Sequence, residues 1–101
     1  SKIIAVLFSG DDKDAVAYAA KFFLEAMGDI SEIRQNVQIL GPIPSALSKI
    51  KNKYRRQLLI KCSDDNKEIN DILKNAEGTC RMQQELEGIS IVIDKSPNML
   101  Y

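Results

Sequence analysis

The sequence has no histidine and only two cysteines among its 101 residues. Without histidine, the Ser-His-Asp and Cys-His nucleophile arrangements and the common His-based metal sites are excluded together. Cys62 and Cys80 have 17 residues between them and no CxxC, so zinc-finger and thioredoxin-type sites find no support. A single disulfide stays open, but two reduced, partly buried cysteines of a cytosolic protein are expected. No apolar run approaches the ~20 residues of a membrane-spanning helix. The run Ile3 to Phe8 is too short for a signal peptide and leads straight into charged residues. A phosphate-binding GxxxxGK[ST] loop is missing, and no residue set has the spacing of a general acid-base pair. No enzymatic activity is therefore expected from this chain alone. Nor is there an excess of either charge: 14 basic and 14 acidic residues give a net charge of zero, which excludes a generally basic nucleic-acid coat or an acidic tail.

What is present is an ordinary globular balance, 45% hydrophobic and 28% charged, in a length that suits one domain over residues 1–101. The chain opens on Ser1 and is expected to be a piece of a larger protein. Lys2 to Ser9 reads as a buried strand ended by Gly10. Asp11 and Asp12 are helix N-cap candidates, and apolar residues recur at helical spacing from Ala15/Val16 to Ala26/Met27, with Gly28 as the stop. Ser31 to Asn36 reads as a loop. Val37-Gln38-Ile39 starts a second strand that Gly41-Pro42-Ile43-Pro44 is expected to end. Ser45 to Lys53 is expected to be a connection with one helical turn, and Tyr54 to Cys62 a third strand. Ser63-Asp64-Asp65 signals a second helix start, and Ile69, Ile72, Leu73, Ala76 and Cys80 continue one stripe across Gly78. Ile89, Ile91 and Ile93 mark a fourth strand, which Pro97 stops. Asp11-Asp12 and Asp64-Asp65 read as caps rather than metal carboxylates. The order β-α-β-β-α-β predicts an α+β fold, a split βαβ sandwich with a four-stranded sheet and two helices on one of its faces.

The charge is unevenly placed. Between Lys49 and Lys61 six of 13 residues are basic (Lys49, Lys51, Lys53, Arg55, Arg56 and Lys61) and none is acidic, leaving 8 basic against 14 acidic residues elsewhere. Such a cluster suits phosphates, whose neutralisation releases condensed counterions. If the segment is extended, Lys49, Lys51, Lys53 and Arg55 project to one side. Tyr54 offers a stacking surface for a base or a packing residue for the strand. The pattern leaves three uses open: nucleic-acid contact, a solvated run that guards a sheet edge, and a surface for an acidic protein partner.

Leu40-Gly41-Pro42-Ile43-Pro44, then Ala46-Leu47, then Tyr54 to Lys61, resembles the LGPxPxxL turn and YRxQLLLK strand of the C-terminal domain of the bacterial primosomal replication-restart helicases, the PriA or primosomal protein N′ family. The ending Ile91 to Leu100 is similar to that family's final strand and DxDP-type tail. Arg56 stands where an aromatic residue is frequent, and Ser96 where a second acidic residue is common. The resemblance runs over the whole domain. It implies a ribosomal-protein-like βαββαβ domain of an ATP-dependent 3′-to-5′ DNA helicase acting in primosome assembly at stalled forks in the bacterial cytoplasm, near the nucleoid. ATP, magnesium and zinc are then expected only in the rest of the parent protein, with no cofactor in this fragment. The implied partners are single-stranded or forked DNA, single-stranded-DNA-binding protein and other domains of the same helicase, with no membrane. The DNA-contacting residues are expected to be Lys49, Lys51, Lys53, Tyr54, Arg55, Arg56 and Lys61. The alternative is a protein-interaction module that docks the acidic tail of single-stranded-DNA-binding protein or the helicase core.

Overall fold

The computed structural model describes residues 2–28, 37–50, 52–62 and 67–95, with positions 45–50 described as backbone. The elements run β1 Lys2–Gly10, α1 Lys13–Met27, β2 Gln38–Ile50, β3 Lys53–Cys62, α2 Lys67–Arg81, a 3-10 turn Gln84–Leu86 and β4 Ser90–Asp94. The strands form one sheet in the order β2-β3-β1-β4, and every neighbouring pair is antiparallel. Each helix therefore links two strands that are not neighbours in the sheet, the split βαβ arrangement that the order of elements predicts.

Period-two alternation divides the sheet into two different faces. Ile4, Val6 and Phe8 of β1, Leu58, Ile60 and Cys62 of β3, and Ile91 of β4 share one cluster with both helices. Their register partners confirm a common face: Val6 stands opposite Leu58 and Ile93, and Phe8 opposite Ile91. α1 contributes Val16, Ala19, Ala20, Phe23 and Met27, and α2 contributes Ile69, Leu73, Ala76 and Cys80. Ala19, Ala20 and Ala76 are fully buried; α1 lies close to the sheet, whereas α2 approaches α1 more closely than any strand. Phe8 and Phe23 meet edge to face across that interface, with ring centroids 5.4 Å apart and planes at 74°.

Local chemistry explains the element ends. The Asp12 side chain caps α1, its Oδ1 accepting from the backbone N–H of Asp14 at 2.9 Å and of Ala15 at 3.3 Å. α1 stops at Gly28, whose φ of 72° is a left-handed conformation. α2 is a single helix that carries Gly78 in its interior. At Gly10 an added Cβ would lie 2.7 Å from Ile89 Cδ1 and 3.2 Å from Val16 Cγ2, so glycine there lets β1, α1 and the start of β4 converge.

β2 departs from the expected layout. Gly41-Pro42-Ile43-Pro44 does not end the strand, and Ser45 to Lys53 is not a connection with a helical turn; β2 continues to Ile50. The reason is its position. β2 lies at the edge of the sheet, where a proline without an N–H removes no ladder bond on its open side. Register shifts between Leu40 and Ile43 and between Pro44 and Lys49 absorb the irregular segment, and the Gly41-Pro42 peptide is cis. Gly41 has φ 109°, and a Cβ there would meet the Gln57 backbone oxygen at 2.8 Å. The expected loop Ser31 to Asn36, the Ser63-Asp64-Asp65 helix start and the tail beyond residue 95 lie outside the described residues.

Candidate nucleic-acid interface

The basic run folds into a hairpin rather than one extended segment. Ile50 pairs with Lys53 and Lys49 with Tyr54, so the chain reverses direction between Ile50 and Lys53. Asn52 takes φ 65°, a left-handed conformation that asparagine tolerates better than most residues. This reversal corrects the expectation that Lys49, Lys51, Lys53 and Arg55 line one side. Lys49 stands opposite Tyr54 in the ladder, out of phase with Lys53 and Arg55. Lys51 lies outside the described residues.

Within β3 the alternation sorts the remaining candidates. Lys53, Arg55 and Lys61 fall on the face that carries no helices, and Tyr54 and Arg56 on the face that does. Arg55 stands opposite Ser9 and Arg56 opposite Phe8 and Pro44, and both are half-buried. Tyr54 packs against the edge of the core cluster, the strand-packing role. Lys53, Tyr54, Arg55 and Arg56 thus gather at the hairpin end of the sheet. Lys61 is at the other end of β3, exposed, with Ile3 and Gln38 as its cross-strand neighbours. Eight residues of strand at ~3.3 Å each put it roughly 26 Å from Lys53. The structure therefore does not bring Lys61 together with the others.

A carboxylate that the local charge count overlooks sits among the hairpin cations. Lys53 Nζ donates to Asp11 Oδ1 at 2.6 Å, and both side chains stay largely in water. Asp11 follows the end of β1, and Gly10 is the register partner of Tyr54, so the sheet itself delivers this acid to the hairpin. The contact spans 42 positions of sequence, and only the strand pairing reveals it. In chemical terms the described residues of the hairpin end present cations, with Lys53 held by an exposed acid.

The rest of the molecule adds no reactive constellation. Among the described residues no group of three or more His, Cys, Asp or Glu is placed to hold a metal ion. Cys62 and Cys80 are both free thiols buried in the core. Burial, followed by the nearby Glu77 carboxylate, pushes the Cys80 thiol up to about 11, against a smaller opposing pull from Arg81. It is a packing group, the opposite of a reactive thiolate. A pocket of about 400 Å³ opens beside it, between the end of α2, the 3-10 turn and β4, lined by Met82, Leu86, Ile89 and Ile91 among others. No described helix is long and apolar enough to cross a membrane.

The described residues thus form a four-stranded antiparallel sheet backed by two helices, with cations at one hairpin end. The family model for the primosomal protein N C-terminal domain matches residues 1–98, and the chain belongs to that family. Membership places the domain in primosome assembly and replication restart. No curated protein matches the chain.

Proposed function

We propose that this is an accessory DNA-binding domain of a replication-restart helicase, and that it holds single-stranded or forked DNA through the β2–β3 hairpin end. The observation that carries the reading is the gathering of Lys53, Arg55 and Arg56 beside the Asn52 turn, in the segment that also supplies Lys49 and Lys51. Family membership supports it, because replication restart takes place on DNA. The hairpin end lies one ladder position beyond the Gly10–Tyr54 pair at the end of β1. Phosphate contacts position a protein on nucleic acid without reading sequence. Lys53 exchanges Asp11 for a phosphate on binding. The exchange costs little, because an exposed ion pair is worth only ~0.2–1 kcal/mol. Tyr54 supports the hairpin from the core side rather than stacking on a base, and Lys61 lies outside the contact.

A triple Lys51→Ala/Lys53→Ala/Arg55→Ala variant tests the assignment against labelled forked DNA. Each contact contributes about 0.7 to the log-log salt slope on single strands. Loss of three is therefore expected to reduce the slope by about 2 and to weaken binding at least tenfold at low salt. Unchanged affinity and slope in a folded variant would remove the hairpin from the DNA site.

A further inference from the structure

We infer that the outer edge of β4 pairs with the same edge of a second copy of this chain, the two strands running antiparallel about a two-fold axis at Val92. The two four-stranded sheets then run on as one. This goes beyond DNA binding at the hairpin and does not depend on it.

The two edges of the sheet are built differently. β2 closes one side with Pro42, Pro44 and two register shifts, features that spoil a strand as a template. β4 closes the other, and no described strand pairs with its outer side. Every second residue of an antiparallel strand turns its N–H and C=O away from the neighbour it already has, so an edge strand presents a hydrogen-bonding row to a newcomer. From Ser90 to Ile93 β4 has no proline and no charge, and Val92 is 50% exposed. Beside this edge, on the helix side of the sheet, lies the pocket of about 400 Å³ with Met82, Leu86, Ile89 and Ile91 in its wall. Met82 is 85% exposed there. The edge therefore suits a strand that sets an aliphatic side chain on the helix side next to Ile91.

β4 itself is such a strand. Ile91 and Ile93 share the helix side, and Ser90, Val92 and Asp94 share the other. Full antiparallel overlap of two β4 strands sets Ser90 opposite the partner's Asp94, Ile91 opposite the partner's Ile93 and Val92 opposite the partner's Val92. The partner's Ile93 then stands beside Ile91 at the pocket, and the two-fold repeats the contact at the second pocket. A register one residue off sets isoleucine against valine and throws the helices of the two copies onto opposite faces. Charge selects the same arrangement. Glu87 precedes β4, Lys95 follows it, and both are exposed. In the antiparallel pair Lys95 stands opposite the partner's Ile89, with the partner's Glu87 on the diagonal, a separation that long side chains span. An acid thus meets a base at each end of the interface. The DNA-binding ends stay uncovered. Ser9 pairs with Ser90 and Gly10 with Tyr54, so the hairpin lies at the Ser90 end of the sheet, and the two-fold sends the two hairpins to opposite ends. With only five residues in β4, the interface is small and its dissociation constant is expected on the order of 100 µM.

Sedimentation equilibrium of the whole chain, from about 10 µM to about 1 mM, tests the pairing across the range expected for so small an interface. The mass should rise with concentration from 11.3 kDa towards twice that value. Val92→Lys sets two lysines face to face at the axis and is expected to weaken the dimer at least about tenfold. Val92 is half exposed at a sheet edge, where lysine is a common guard, so the monomer keeps its fold. Glu87→Lys and Lys95→Glu change exposed positions, and each turns both end contacts from attraction to repulsion. Each is expected to weaken the dimer roughly three- to tenfold, and the double variant Glu87→Lys/Lys95→Glu should return to within about twofold of the parent chain. A mass that stays at 11.3 kDa throughout overturns the proposal. So does growth beyond two copies, because a two-fold pairing closes on itself. A dimer that Val92→Lys leaves intact, or that the double charge swap fails to restore, places the interface elsewhere and overturns it as well. The triple hairpin variant should self-associate as the parent chain does while losing DNA, so the two readings fail separately.

Discussion

Replacing Gln57 by methionine should stabilise the domain, although it removes a polar group from the centre of the sheet. Gln57 is 3% exposed, and its Oε1 has no donor among the described residues. Its cross-strand neighbours on the helix-free face are Leu7 and Ile43, both apolar. A buried acceptor left unpaired costs roughly 1–3 kcal/mol relative to its hydrated state in the unfolded chain. Methionine is unbranched and of similar length, so Gln57→Met removes that cost without opening a cavity or overfilling the site. The expected gain is about 1–2 kcal/mol, because the side-chain entropy lost on burial is similar for glutamine and methionine and cancels. For a domain of this size each kcal/mol raises Tm by roughly 4–8 °C. Urea unfolding followed by circular dichroism reads the same quantity as a midpoint shift of about 0.5–1 M at unchanged slope. A lowered midpoint would refute the reasoning, because it would mean that the amide forms hydrogen bonds worth more than its burial costs.

Three further outcomes follow from the same geometry. Asp12→Ala removes the α1 cap and is expected to cost about 1 kcal/mol, checked by urea unfolding; an Asp12→Asn variant should recover most of it. Asp11→Asn releases Lys53 and removes an exposed negative charge from the hairpin, so DNA should bind about two- to fivefold tighter at low salt by anisotropy, with a midpoint change under about 1 kcal/mol. The Cys80 thiol ionises near 9.0 when unfolded and near 11 in the fold. Between those values the unfolded state releases a proton that the folded state keeps, so this group's contribution to stability falls as pH rises from about 9.0 toward 11. Urea midpoints at pH 8 and pH 10 should therefore fall more steeply in the parent chain than in Cys80→Ala, which lacks the group; parallel declines would contradict the assignment.

Much of the architecture is legible in the linear pattern because its signals are local. Asp12 before a helical-period run marks α1, the Ile69-Leu73-Ala76-Cys80 stripe marks α2 across Gly78, and the alternating isoleucines mark β4. β2 is misread because proline and glycine usually punctuate a strand, and only the sheet order shows that this strand is an edge. The basic run is misread for a related reason. Its period-two arithmetic holds only without a reversal, and the turn at Asn52 lacks the glycine that would announce a hairpin. Asp11 escapes notice because it reaches Lys53 through strand pairing rather than proximity in sequence. The apolar run of β1 is visible at once, but which of its two faces the helices leave open is a tertiary fact.

DNA affinity as a function of salt tests the central claim most directly. Anisotropy of labelled single-stranded DNA should give log K falling linearly with log salt, with a slope of about −2 to −3.5 for the three to five phosphates that the hairpin cations can reach. Forked DNA should bind by the same hairpin, so its slope should shrink in parallel in the triple alanine variant. Salt-independent binding, or none even at low salt, would contradict the account and leave the hairpin cations without a role in DNA binding.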